Sequence, residues 1–278
     1  MKAAAALLVA AGCALAAGAD TFVAAPAPQR CVFHLHTPKC AGTFVWRFLK
    51  GRFCADEARI CGRDALRPPP ACACVVNPIT KDEAVLGAIR RGAYAFASSH
   101  SRAPFKSSTA CALAVWFREP LARVRSHYGY FKYKKHRNLT SLADLYKRGT
   151  PPHWVSNQQW ALLLPAKKVS GSRAPSDGEI RAATREVTGL AFVGLVEDME
   201  TSLCVFAAAY LPAHASDLCD RATHAKRENV AVAARAAADD ARERDLVRKY
   251  NRYDAALYDA ARAEFARRKE VHEAEAIR

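Results

Sequence analysis

The segment LHTPKCAGTF, residues 35–44, decides how the chain is read. It follows the apolar CVFH (31–34) and runs into FVWRFLKGRF (44–53). Residues 31–36 form a short apolar run that suits a buried strand. Residues 43–52 then set Phe44, Trp46, Phe48 and Leu49 among basic residues, which fits a helix. A glycine-containing turn between a strand and a helix aims backbone amides and the positive end of the helix dipole at one point, where anions bind. Lys39 adds a full charge to this turn and Thr43 a hydroxyl. Its lysine precedes the glycine, whereas the common nucleotide-triphosphate loop G-x-x-x-x-G-K-[ST] has it after.

Three further apolar runs read as strands: AYAFASSH (93–100), CALAVWF (111–117) and AFVGLVED (191–198). Helical segments separate them, KDEAVLGAIRRG stopped by Gly92 and METSLCVFAAAYL after the last strand. RPPPACACVVNP (67–78) reads as a Pro/Cys loop. Strands that are continuously apolar and alternate with helices imply a parallel sheet covered on both faces, an α/β fold of three layers, α/β/α. Ligands of such sheets bind at the carboxyl ends of the strands. From about 226 onward the chain is charged and helical, and Leu246, Tyr250, Tyr253, Leu257, Tyr258 and Phe265 supply a stripe to pack on the main domain. One domain over 31–278 is expected, after an N-terminal segment (1–19) and an Ala/Pro linker (20–30).

That N-terminal segment has one lysine, then 17 uncharged residues, mostly Ala and Leu, ending in A-G-A before Asp20. It reads as a secretory signal, either cleaved or kept as a single-pass anchor. Ten cysteines fit an oxidising compartment. Cys13 lies in the signal, so nine remain and at least one stays unpaired within the chain. Cys72-Ala73-Cys74 has no zinc-knuckle spacing, which favours structural disulfides over metal. Asn138-Leu139-Thr140 is a glycosylation sequon consistent with a lumenal chain.

The net charge of +15 is concentrated in part at 118–137, where seven Lys/Arg stand against one Glu. There REPLARVRSHY (118–128) leaves the third strand run, with Arg118 at the strand's end and Pro120 placed to start a helix. A guanidinium with the Ser126 hydroxyl two turns along suits a terminal phosphate. Tyr128, Tyr130, Phe131 and Tyr133 interleave with these charges, and core packing accounts for at least half of such rings.

These two motifs, in this order, resemble the carbohydrate sulfotransferases that use 3′-phosphoadenylyl sulfate (PAPS). LHTPKCAGTF resembles that family's 5′-phosphosulfate loop, H-x-P-K-x-x-G-T, and WFREPLARVRSHY resembles its 3′-phosphate motif, R-[DE]-P-x-x-R-x-x-S-x-Y. FVGLVEDMETSL and YNRYDAALYDAARAEF are similar to the family's later strand and closing helix. By these motifs the chain resembles Golgi glycan sulfotransferases of the heparan 2-O/6-O and chondroitin/dermatan types.

The resemblance implies a P-loop nucleotide-hydrolase-like sulfotransferase fold in the Golgi lumen or membrane, and transfer of a sulfuryl group from PAPS to a hydroxyl of an acidic or neutral polysaccharide. No metal is implied, and no nucleic acid. Pro38, Lys39, Cys40, Ala41, Gly42 and Thr43 would bind the 5′ side of the nucleotide, and Arg118 and Ser126 its 3′-phosphate. Lys39 would also neutralise the leaving group. His100, at the end of the 93–100 strand, resembles the family's general base, and a histidine near its ordinary pKa suits that work. His36 reads as a structural strand residue. Two departures stand out. Cys40-Ala41 replaces the Thr-Gly or Thr-Ala usual after the lysine, and NQQW (157–160) has Trp160 where the family's Asn-x-Gln-Thr-Arg has arginine. A catalytically inactive, basic glycan-binding relative is the alternative. A P-loop kinase is disfavoured because G-x-x-x-x-G-K-[ST] is missing.

Overall fold

The computed structural model describes residues 31–54, 60–61, 74–76, 83–100, 111–134, 139–146, 155–164, 173–224 and 241–276. The N-terminal segment, the linker and the sequon's Asn138 lie outside the described residues. Six parallel strands form one sheet: β1 (Val32–Leu35), β2 (Ile60–Cys61), β3 (Cys74–Val76), β4 (Phe96–Ser99), β5 (Ala112–Phe117) and β6 (Phe192–Leu195). Their spatial order is β2-β3-β4-β1-β5-β6, and every neighbouring pair is parallel. β1 is central, with Val32 opposite both Phe96 of β4 and Ala112 of β5, and Leu35 opposite Ser99 and Val115.

The continuous apolar runs are explained by the two covered faces. Phe33 and Leu35 of β1, Val115 and Phe117 of β5 and Val193 and Leu195 of β6 point into one core. Val32, Phe96, Ala112, Ala114, Trp116 and Phe192, one position out of step, point into the other. Successive strand residues face opposite sides, so a strand buried on both sides is apolar at most positions, and the polar His34, Ser98 and Ser99 of β1 and β4 are buried too. Each fully buried Val, Leu or Phe contributes on the order of 1.5–3 kcal/mol.

Helices close both faces. On the first lie α2 (Glu83–Arg90), α5 (Asp177–Thr188) and the long α9 (Arg252–Ala276), through Ile89, Val187, Tyr253, Leu257 and Phe265. On the second lie α1 (Gly42–Phe53) and α6 (Met199–Tyr210), through Val45, Leu49, Leu203 and Phe206. α3 (Pro120–Gly129) follows β5 and runs into a π-helical turn, Tyr130–Lys134. It packs with α8 (Ala241–Tyr250) in a third cluster holding Val124, Tyr128 and Val247. Three helices not expected from sequence are α5, opened by a Ser176/Glu179 capping box, the short α4 (Gln158–Leu163) and α7 (Ala215–His224).

The Pro/Cys stretch 67–78 corrects one expectation. Cys74–Val76 within it is a strand, β3, in register with Phe96–Ser98 of β4. Three residues are too few to show a period, and pairing to β4 sets their conformation.

Three disulfides join described residues: Cys31–Cys111, Cys54–Cys74 and Cys204–Cys219. They fit an oxidising, secretory-type compartment. The first links the starts of the adjacent strands β1 and β5, with Cα atoms 4.5 Å apart. Cys40 is the free cysteine among them, and it is buried. Among the described residues no helix is long and apolar enough to cross a membrane.

Candidate active site

The connection leaving β1 runs to β2 on one side of it and the connection leaving its neighbour β5 runs to β6 on the other, and ligands of open parallel sheets bind outside such a switch point. The strand pairing carries on one residue beyond the strands. His36 N donates to Ser99 O at 2.8 Å and Val196 N to Phe117 O at 2.9 Å. The residues leaving β1, β4, β5 and β6 are thereby brought side by side around a cavity of about 600 Å³.

The loop after β1 is tightly wound. Thr37 N donates to Leu35 O at 3.0 Å, Cys40 N donates to Thr37 O at 3.1 Å, and Lys39 and Ala41 hold positive φ, 67° and 55°. Each such non-glycine residue costs of order 1–3 kcal/mol, and such conformations cluster at ligand-holding turns. Alternating turn conformations gather amides into a concave nest, and α1 begins immediately after with first-turn N–H groups that have no carbonyl one turn back. Gly42 is sterically required: a Cβ there would sit 1.8 Å from His36 Cδ2.

The segment after β5 is equally constrained. Glu119 caps α3, its carboxylate accepting from Leu121 N at 3.0 Å and Ala122 N at 2.6 Å, and Pro120 takes the first helical position. Arg118 Nη1 donates to Lys39 O at 3.0 Å, so the two motifs touch directly. Arg123, the motif's second arginine, is fully buried and does structural work. Its Nε lies 3.3 Å from Asp254 Oδ2, its Nη2 donates to Val155 O and to Asn251 Oδ1 (3.1 Å), and its Nη1 to Gln158 Oε1 (3.1 Å).

Pro38, Lys39, Ala41, Gly42, Thr43, His100, Arg118 and Ser126 all line the cavity. Cys40 differs. Its side chain is buried beneath the loop, where Sγ donates to Gln159 Oε1 at 3.3 Å. Burial pushes the thiol up to about 12, so it stays protonated.

His100 departs from expectation in its proton affinity. Its Nδ1 lies 2.7 Å from His36 O and its ring 4.0 Å from the His36 ring. Burial holds it below the ordinary histidine value, opposed by the hydrogen bond to the His36 carbonyl. The expectation of an unperturbed pKa is therefore corrected, because the ring sits partly desolvated against a second imidazole. His36 is itself lowered to about 2, mainly by burial. Behind it His34, lowered to about 3 by burial, meets Ser98 Oγ through Nδ1 at 3.1 Å and stacks on His36 at 5.6 Å.

His36, expected as a structural strand residue, lies one residue past β1 and lines the cavity, as do His127, Tyr130 and Glu197, to which no role was assigned. Tyr130 lies under Lys39, with Nζ 4.3 Å from the ring centroid, while Tyr128 packs in the third core cluster. His127 stacks on Phe131 at 5.0 Å and is lowered to about 3, chiefly by burial. Glu197 accepts from Glu119 N at 3.1 Å and from Tyr258 OH at 2.8 Å, tying β6 to α3 and α9. Its signal was available: it is among the first polar residues past an apolar strand, as Arg118 is past β5. Trp160 is buried with its ring 4.8 Å from Tyr253, edge-on, away from the cavity.

The arrangement can bind a polyanion along one wall. Lys39, the amide nest and Thr43 stand at one end, and Arg118 and Ser126 on the adjoining elements. A neutral imidazole stands on β4's side. No protein-family model and no curated protein matches the chain.

Proposed function

We propose that the protein is a sulfotransferase that moves the sulfuryl group of PAPS to a hydroxyl of a glycan. The observation that carries this reading is the convergence of both anion motifs and His100 on one cavity at the carboxyl ends of β1, β4 and β5. Its volume of about 600 Å³ lies within the range of nucleotide-sized pockets.

The acceptor oxygen attacks the sulfur in line, the bond from sulfur to the 5′-phosphate oxygen breaks, and the hydroxyl proton passes to a base. His100 fits that role. A carbonyl oxygen only accepts, so the 2.7 Å contact to His36 O places the proton on Nδ1 and leaves the Nε2 lone pair for the acceptor. Lys39 and the amide nest offset the charge growing on the leaving phosphate oxygen, and positioning and charge neutralisation dominate such group transfers. Arg118 and Ser126 hold the 3′-phosphate that separates this donor from ATP. The products are a sulfate ester and adenosine 3′,5′-bisphosphate.

A Golgi location follows from the same reading. Incubating the folded protein with sulfur-labelled PAPS and a panel of heparan, chondroitin, dermatan and neutral polysaccharides tests it. Label in at least one polymer is the expected result. Label in none, with the bisphosphate unbound and heparin retained, would leave the basic glycan-binding alternative.

A further inference from the structure

Gln159 lies outside both anion motifs, yet its side chain touches both. Its Oε1 accepts from Arg118 N at 2.8 Å and from Cys40 Sγ at 3.3 Å, and its Nε2 donates to Arg118 O at 2.8 Å. The amide thus meets Arg118's main chain on both sides, as a neighbouring strand would, and reaches the underside of the loop through the thiol. Gln159 is only 1% exposed, so these bonds face no competition from water. Its own backbone is anchored in turn. Gln159 N donates to Asp254 Oδ2 at 3.3 Å and Trp160 N to Asp254 Oδ1 at 2.8 Å, and Asp254 faces Arg123 of α3. Asn157, two residues earlier, holds φ 49° and accepts from Tyr253 N (3.1 Å) and Asp254 N (3.2 Å) at the start of α9.

We infer that Gln159 is a positioning residue that fixes the separation between the 38–43 loop and Arg118, and that this fixed span selects a nucleotide carrying phosphates at both its 5′ and 3′ ends. The inference rests on the nucleotide reading of the cavity. It also gives Cys40 a role: a small buried donor that sits under the loop without adding charge. The loop's own turn, Cys40 N to Thr37 O, does not depend on Gln159 and keeps the 5′ end formed without it. Loss of the clasp therefore harms the use of two phosphates together more than binding of one.

The test is the ratio of affinities for adenosine 3′,5′-bisphosphate and adenosine 5′-monophosphate, measured calorimetrically on wild type, Gln159→Met, Gln159→Glu, Cys40→Ala and Cys40→Ser. Gln159→Met is expected to lower the bisphosphate affinity at least tenfold and the monophosphate affinity less than twofold. Cys40→Ala is expected to shift the ratio in the same direction by less, with Cys40→Ser restoring part of it. Gln159→Glu, which keeps the acceptors and sets a carboxylate against Arg118 O, is expected to resemble Gln159→Met. An unchanged ratio in Gln159→Met, or a proportional loss of both ligands, would overturn the clasp while leaving the nucleotide reading intact. Should Gln159→Met not fold, an unchanged ratio in Cys40→Ala does the same. A wild type that binds neither nucleotide would overturn the nucleotide reading itself and the clasp with it.

Discussion

His100 Nδ1 donates to the carbonyl oxygen of His36 across 2.7 Å, and the two rings lie 4.0 Å apart. The bond fixes one tautomer, and partial burial lowers the pKa, so Nε2 is a free lone pair at neutral pH. The proposed transfer requires the neutral ring. The acid limb of kcat/KM should therefore lie below pH 6.5, with full activity above it and loss as pH falls through the depressed value. His100→Ala should lower kcat by roughly 10²–10⁴. A limb at or above pH 6.5, or full turnover in His100→Ala, would remove His100 as the base.

In the proposed function, Lys39 and Arg118 act on different ends of the donor. Lys39→Ala should lower kcat by about 10²–10³, the usual cost of losing a charge-stabilising group. Arg118→Ala should abolish measurable transfer by weakening donor binding, and it also removes the guanidinium contact to Lys39 O. Steady-state kinetics with labelled PAPS separates the two, and equal effects on KM and kcat in both variants would contradict the assignment.

Gly42→Ala tests the loop's geometry. Its Cβ would lie 1.8 Å from His36 Cδ2, so the His36 ring must move, and with it the ring of His100. Overpacking of this kind costs about 1–3 kcal/mol. Denaturant unfolding should show that loss together with a fall in transfer; a variant of wild-type stability and activity would show the close approach to be relaxed at no cost.

Acid should destabilise the fold through the buried histidines. His34 and His36 stay neutral when folded down to about pH 3 and 2, while the unfolded chain takes up protons from about pH 6.5. The unfolded state then holds more protons, so this stability is present above pH 6.5 and is lost as pH falls below it. Between pH 7.5 and 5.5 each contributes a loss of about 1.4 kcal/mol. His127 and His100, also lowered by burial, add to the same loss; urea unfolding at the two pH values measures the total, and His34→Gln should remove one share. Equal stability at both values would contradict the burial of these rings.

Much of the fold was legible because its strands are buried on both faces. Phe33 and Val32 face opposite cores, so the run 31–36 announces itself without any alternation. β2 and β3 were not legible, since two and three residues carry no period and the pairing of Cys74 with Phe96 is a long-range fact. The disulfide Cys31–Cys111 was hidden likewise, because only the β1–β5 pairing brings those positions together. At the candidate site, the lining by Lys39, Thr43, Arg118, Ser126 and His100 follows from each lying at a strand's end or on the helix it feeds. The lowered His100 pKa comes from burial of the ring in the folded site, which no spacing encodes. Gln159 stood in plain view within NQQW, but its reach to Cys40 and Arg118 spans 119 and 41 residues of chain.

The proposed function requires the cavity to hold a nucleotide phosphorylated at both 5′ and 3′ positions. Titrating the folded protein with adenosine 3′,5′-bisphosphate, without metal, and with ATP plus Mg²⁺ in parallel, tests it most directly. Saturable bisphosphate binding, lost in Arg118→Ala and much tighter than that of ATP, is the predicted result. No binding of the bisphosphate, or tighter binding of Mg²⁺–ATP, would contradict it.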